Sequence, residues 1–187
     1  MSDTLAFIGR MIRHPRRIGA IAPSSSGLAD AMAFGIGPDT PGVVEFGGGT
    51  GQLTRGILRT GLPPERLVVA ELDPVLAKRL QADLPGVQVR NVGAQEITAE
   101  GLPSVSHIIS GLPILNFPYE LQMAIMENAF RLLAPGGMVV QFTYGPKVPL
   151  RQRVIDELGL VGKRRKWVAW NLPPATVYEI TRKSDAL

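Results

Sequence analysis

Val43-Val44-Glu45-Phe46-Gly47-Gly48-Gly49-Thr50-Gly51-Gln52-Leu53 carries an apolar run into a cluster of glycines, with an acidic residue at the junction. A helix-compatible segment, Leu53 to Leu58, follows. The order strand, tight turn, helix start is how a nucleotide-like ligand is commonly gripped, because glycine admits positive φ and has no Cβ to hold a ligand off the backbone. The spacing narrows this further. Glu45, Gly47, Gly49 and Gly51 form Glu-x-Gly-x-Gly-x-Gly, whereas a dinucleotide fingerprint needs glycine at 52 or 54, where Gln52 and Thr54 stand. No Lys-Ser/Thr pair follows, which excludes a phosphate-binding P-loop.

Outward from that motif the chain alternates. Arg66-Leu-Val-Val-Ala-Glu-Leu-Asp is a buried-strand pattern ending in acid, and a helix is expected from Pro74 to about Ala82. Glu71 lies 20 residues beyond Gly51, where a carboxylate at the end of a second strand accepts hydrogen bonds from both hydroxyls of a ribose. A third strand is expected over about Val87 to Val92, and a fourth over Val105 to Ser110, leading into Gly111-Leu-Pro. A helix from about Tyr119 to Leu133 stops at Pro135-Gly136-Gly137, and a fifth strand starts at Met138. Such alternation implies parallel βαβ units, hence an α/β fold. A helix over about 150–158 and two strand-like runs, Arg164 to Leu172 and Ala175 to Arg182, predict a terminal hairpin.

Before the motif, residues 4–14 fit a helix that Pro15 ends. Leu5, Phe7, Ile8, Met11 and Ile12 share an arc of roughly 160°, with Arg10, Arg13 and His14 opposite. Packing on the core is the ordinary reading of such a helix; the four arginines at 10, 13, 16 and 17 suit an interfacial helix on anionic lipid. The serines at 24 to 26 suit the cap of a helix from about Leu28 to Phe34, and the loop before them can close over a cofactor. The chain therefore divides into residues 1–35, an amphipathic helix with a covering loop and helix, and a domain at 36–187.

With 187 residues and 45% apolar content, one globular domain of ordinary size is expected. The absence of cysteine excludes disulfides, thiolate zinc sites and cysteine nucleophiles, and only His14 and His107 are available to a histidine site, so no metal is expected. No apolar run approaches the roughly 20 residues of a membrane span. Net charge is +4, distributed as +3 over residues 1–17, −4 over 18–145 and +5 over 146–187. A basic periphery suits a polyanionic partner, phospholipid or nucleic acid.

The glycine motif, the acidic end of the second strand and Leu132-Leu-Ala-Pro-Gly-Gly together resemble the class I S-adenosylmethionine-dependent methyltransferases over residues 40–182. Pro15-Arg-Arg-Ile-Gly-Ala-Ile-Ala-Pro-Ser-Ser-Ser, Ser110-Gly-Leu-Pro-Ile-Leu and Trp170-Asn-Leu-Pro-Pro-Ala resemble the bacterial phospholipid N-methyltransferases over nearly the whole chain. This resemblance implies a Rossmann-like seven-stranded, mostly parallel sheet with an antiparallel last strand and helices on both faces. It implies S-adenosyl-L-methionine as cofactor, held by Glu45, Gly47, Gly49, Gly51, Glu71, Leu72, Ala94, Gln95 and Ser110. Ser110, Gly111 and Tyr119 become the candidate catalytic positions, the two carbonyls to accept from the amine and Tyr119 as the nearest hydroxyl. The implied reaction is stepwise N-methylation of phosphatidylethanolamine toward phosphatidylcholine, by a monomer bound to the cytoplasmic face of a membrane through residues 4–17, with no nucleic-acid partner. Two other readings compete. Ribosomal-RNA adenine methyltransferases share the core, with Asn-Leu-Pro-Tyr where this chain has Ser110-Gly-Leu-Pro, and a lipid-binding protein with a vestigial cofactor fold needs no chemistry. One departure stands out: the family commonly has Gly-Asp-Ala after the third strand, where this chain has Val92-Gly93-Ala94, leaving Gln95 or Glu96 to take the aspartate's role.

Overall fold

Val43–Phe46 forms β1, buried at all four positions, and it lies near the centre of a seven-stranded sheet. The computed structural model describes residues 26–185; the helix expected over 4–14 and the covering loop lie outside them. The elements are α1 (Ser26–Met32), β1, α2 (Gln52–Leu58), β2 (Leu67–Ala70), α3 (Pro74–Asp83), β3 (Gln88–Arg90), β4 (Val105–Ser110), α4 (Tyr119–Leu132), β5 (Leu133–Thr143), α5 (Gln152–Glu157), β6 (Leu160–Val168) and β7 (Ala175–Arg182). Strand order is β3-β2-β1-β4-β5-β7-β6. Pairings are parallel from β3 through β5, and β7 runs antiparallel to both β5 and β6. This is the Rossmann-like sheet with an antiparallel last strand that the sequence led us to expect.

Alternation along the strands divides the core into two layers. Val44 and Phe46 join Val68, Ala70 and Ile108 against Leu121, Ile125 and Ala129 of α4. Val43 joins Val69, Ile109 and Val140 against Leu28 and Met32 of α1, Ile57 of α2 and Leu80 of α3. Burying each large side chain of this kind contributes roughly 1.5–3 kcal/mol. Helices α1 and α2 approach closely at Gly56, where an added Cβ would stand 2.7 Å from the Cβ of Ala29.

Element boundaries differ from the sequence reading where side chains intervene. The third strand covers Gln88–Arg90 alone, because the chain turns there (Val92 N–H donates to Arg90 O) and the Asn91 amide donates to the carbonyls of Glu71 and Leu72. Pairing of β5 starts early, at Leu133 opposite Val105, and resumes with Met138 opposite His107, so the residues between bulge out. Pro135 has no N–H for the ladder there. Leu160 pairs with Arg182, so β6 begins four residues before the expected Arg164.

Because β1 is flanked by β2 on one side and β4 on the other, the order reverses between β1 and β4. In open α/β sheets ligands bind in the crevice at the carboxyl ends of the strands beside such a reversal. The glycine loop follows β1 and Gly111 follows β4, so both expected loops meet at that crevice.

Candidate active site

The two loops are joined through backbone. Gly47 N–H donates to Ala70 O at 2.9 Å, and Gly111 N–H donates to Phe46 O at 2.9 Å. Gly47 has φ +80°, and a Cβ there would meet Leu112 Cδ2 at 2.7 Å, so conformation and space both require glycine. A Cβ on Gly49 would meet nothing within 4 Å, which marks the open side of the loop. Gly51 caps α2 at its N-terminus.

Glu71 ties this loop to β2. Its Oε2 accepts from Gly49 N–H and its Oε1 from Asp73 N–H, both at 2.8 Å. Each carboxylate oxygen accepts more than one hydrogen bond, so lone pairs remain for a diol. Glu71 lines a cleft with about 340 Å³ of free space, part of it open to solvent, together with Gly47, Leu72, Ala94, Gln95 and Leu112. Val92, Phe117 and Ile125 supply further apolar wall. A carboxylate at one end of an apolar slot fits a nucleoside, with the base between the walls and the ribose hydroxyls on Glu71.

The loop after β3 separates Gln95 from Glu96. The Glu96 carboxylate accepts from Gly93 N–H at 3.3 Å and is otherwise exposed, whereas Gln95 lines the cleft. A Cβ on Gly93 would stand 2.6 Å from Gln95 Nε2. The Gln95 amide thus fills the space that an aspartate at 93 would enter.

Glu45 is placed differently from the other motif residues. It is fully buried on the α1 and α2 side of β1, does not line the cleft, and neither of its oxygens has a hydrogen-bond partner among the described residues. Burial pushes its pKa up to about 8, and the nearby charge of Glu71 adds to the rise. The Thr54 hydroxyl and N–H oppose it from close by without completing a hydrogen bond.

At the positions expected to meet the methyl acceptor, Ser110 is buried and its hydroxyl has no partner among the described residues, while Gly111 is half-buried. The Leu112 carbonyl is already taken by the Gln141 amide at 3.0 Å. Tyr119 stands apart from these residues. Its hydroxyl donates to Glu157, its ring lies under the Arg153 guanidinium at 4.4 Å, and it does not line the cleft. The first turn of α4 aims this side chain at α5, so the structure does not bring Tyr119 together with Ser110 and Gly111.

Several positioning residues escaped the sequence reading. Asn128 of α4 donates to the carbonyls of Ala94 and Ile97 and so supports the loop after β3. Gln122 donates to Phe117 O at 3.1 Å and accepts from Arg151 N–H at 3.0 Å, tying the turn after β4 to the start of α5. The available signal was polar residues inside apolar runs: Gln141 in Met138-Val-Val-Gln-Phe and Asn128 in Glu127-Asn-Ala-Phe.

Sheet order, glycine loop and carboxylate-ended cleft define a class I S-adenosylmethionine-dependent methyltransferase, and the chain belongs to that class. More narrowly, it is 33% identical over 189 residues to an ornithine lipid N-methyltransferase of Singulisphaera acidiphila, covering 95% of both chains, and the two belong to one family. A ribosomal RNA small subunit methyltransferase A of Bifidobacterium longum subsp. infantis is 28% identical over 220 residues, 95% of this chain and 70% of the relative. Among solved structures, an N-methyltransferase of Bradyrhizobium japonicum in complex with S-adenosyl-L-homocysteine aligns with TM-score 0.63 at 13% identity, covering 96% of this chain and 98% of its own. A TehB-like methyltransferase of Corynebacterium glutamicum aligns with TM-score 0.62 at 15% identity, covering 97% and 99%. No family model matches the chain. S-adenosyl-L-methionine is the cofactor of this class, in agreement with the sequence expectation.

Proposed function

We propose that this protein transfers methyl groups to the primary amine of a membrane lipid headgroup, with phosphatidylethanolamine as the substrate. The observation that carries the reading is the 33% identity, over 95% of both chains, to a lipid N-methyltransferase. Ornithine and ethanolamine headgroups both present a primary amine, so one acceptor site suits either. Further support is the net charge of +5 over residues 146–187, which suits an anionic surface.

When bound, the sulfonium cofactor supplies an activated methyl group, so the protein's work is positioning. Glu71 and the apolar walls would hold the cofactor's nucleoside, with Gln95 available to the base from the same cleft. The carbonyls of Ser110 and Gly111, at the carboxyl end of β4, would accept hydrogen bonds from the amine N–H groups, and the proton lost on methylation would pass to water. Gln141 fixes the Leu112 carbonyl and with it the start of that loop.

The test is to mix the protein with radiolabelled S-adenosylmethionine and vesicles containing phosphatidylethanolamine, ornithine lipid or neither, beside a sample of ribosomal RNA. Label in mono-, di- and trimethylated phosphatidylethanolamine on chromatography is expected. Label confined to ornithine lipid would move the substrate to that headgroup. Label confined to RNA would replace this reading with the adenine methyltransferase one, which the 28% identical relative favours.

A further inference from the structure

Strands β1, β2, β4, β5 and β6 all run in one direction, so the chain leaves a single edge of the sheet at Phe46, Ala70, Ser110, Thr143 and Val168. That edge carries the cleft. It also carries most of the exposed large apolar side chains of the described residues. Val75 (74% exposed) opens α3 after β2, and Leu115 (50%) sits in the turn after β4. Trp167 (62%) is next to last in β6, and Trp170 (98%) and Leu172 (84%) lie in the 169–174 connection to β7. Only Phe34 and Val161 lie elsewhere. Phe34 has the Arg165 guanidinium 5.2 Å from its ring centre, and Val161 is the second residue of β6, at the opposite edge.

Exposed cations run along β6 from its middle toward that edge and occur in the loop after β5. Lys163, Arg164 and Lys166 are exposed on β6, Lys147 is exposed in the loop after β5, and none of the four forms an ion pair among the described residues. No acidic residue occurs between Leu160 and Tyr178. Apolar tips flanked by unpaired cations suit an anionic bilayer, where indoles sit at headgroup level and lysines meet lipid phosphates.

We propose that this edge is a membrane-docking surface that inserts Trp170 and Leu172 among the headgroups of an anionic bilayer, presenting the cleft to the lipid. The choice of lipid rests on the lipid-amine reading above. A second copy of the chain fits less well: an aromatic side chain buries about 150–250 Å², so this tip falls short of the roughly 800 Å² per partner of a stable interface. Single-stranded RNA stacks on aromatic faces, and Val75, Leu115 and Leu172 offer none.

The test uses the full chain carrying Trp167→Phe, which leaves Trp170 as its one tryptophan. Vesicles of phosphatidylglycerol and phosphatidylethanolamine with brominated acyl chains are expected to quench its emission at least about twofold and shift it to the blue. Trp170→Ser with Leu172→Ser is expected to lower vesicle partitioning about tenfold while leaving S-adenosylhomocysteine affinity, read by calorimetry, unchanged. The proposal is overturned if Trp170 emission is unaltered while the protein co-sediments with vesicles, or if the double variant partitions like the parent. It is equally overturned if light scattering shows a dimer that the double variant dissolves, or if an RNA oligonucleotide quenches Trp170 and vesicles do not. Quenching without methyl transfer to any lipid would keep the docking surface and sink the proposed function; transfer without quenching would do the reverse.

Discussion

The two halves of the cleft are built differently. From β1 to β3 the donor side is made mainly by backbone, with three glycines and amide donors on the Glu71 carboxylate, while the Asn91 and Asn128 side chains hold the turns after β2 and β3. From β4 to β7 the acceptor side is made by side chains reaching across the fold, with Gln141 on Leu112, Gln122 on Arg151, and an apolar rim left open to solvent. A backbone cradle constrains residue type at fixed spacing. A side-chain scaffold constrains only that some polar group sits where another element needs it.

Substitutions can break this contrast. The largest effect is expected from Glu71→Ala, which removes the carboxylate proposed to hold the ribose and leaves the Gly49 and Asp73 N–H groups without their acceptor. Two charged hydrogen bonds at about 1.5 kcal/mol each correspond to a loss of about 100-fold in S-adenosylhomocysteine affinity by calorimetry. Affinity within threefold of the parent would remove Glu71 from the site.

Next comes Glu45→Gln, whose effect is on stability. With its folded-state pKa raised from 4.5 to about 8, Glu45 keeps its proton in the folded state while the unfolded chain ionises. Stability from this group is therefore complete below about pH 4.5 and drains away as pH rises toward 8. The glutamine variant should match the parent near pH 4.5 and exceed it near pH 8, by about 2 kcal/mol after allowance for relaxation around a buried charge. Parallel denaturation curves at both pH values would show that Glu45 is ionised throughout.

A smaller loss is expected from Gln95→Ala, about tenfold in S-adenosylhomocysteine affinity, with little change for the analogue in which hypoxanthine replaces adenine. Equal losses for both ligands would mean that Gln95 acts through loop shape alone. Tyr119→Phe is expected to change turnover less than twofold, because its hydroxyl is engaged with Glu157 outside the cleft. A hundredfold fall in turnover with unchanged donor affinity would return Tyr119 to the chemistry and require α4 to rearrange on lipid.

How much of this was legible beforehand follows the same division. Gly47 and Gly49 were readable because the left-handed turn demands glycine at both, and the close approach of Leu112 demands it again at Gly47; Glu71 was readable as the acid that ends the second strand, and its carboxylate holds the Gly49 N–H. Gln95 was the expected ligand in the sequence with Glu96 as its alternative, and the structure places Gln95 in the cleft and Glu96 outside it. Tyr119 was nearest to Ser110 along the chain, but chain distance does not report direction, and the first turn of α4 points it at α5.

The sequence by itself determined the α/β class, the donor motif and the terminal hairpin, since these depend on local periodicity, glycine spacing and turn chemistry within a few residues. The tertiary structure alone decided that Glu45 faces the α1 layer as an unpaired buried carboxyl, that Gln141 and Asn128 support loops about 30 residues distant, and that Val75, Leu115, Trp170 and Leu172 share one edge. Those outcomes depend on strand order and register, which bring together groups that no local pattern links.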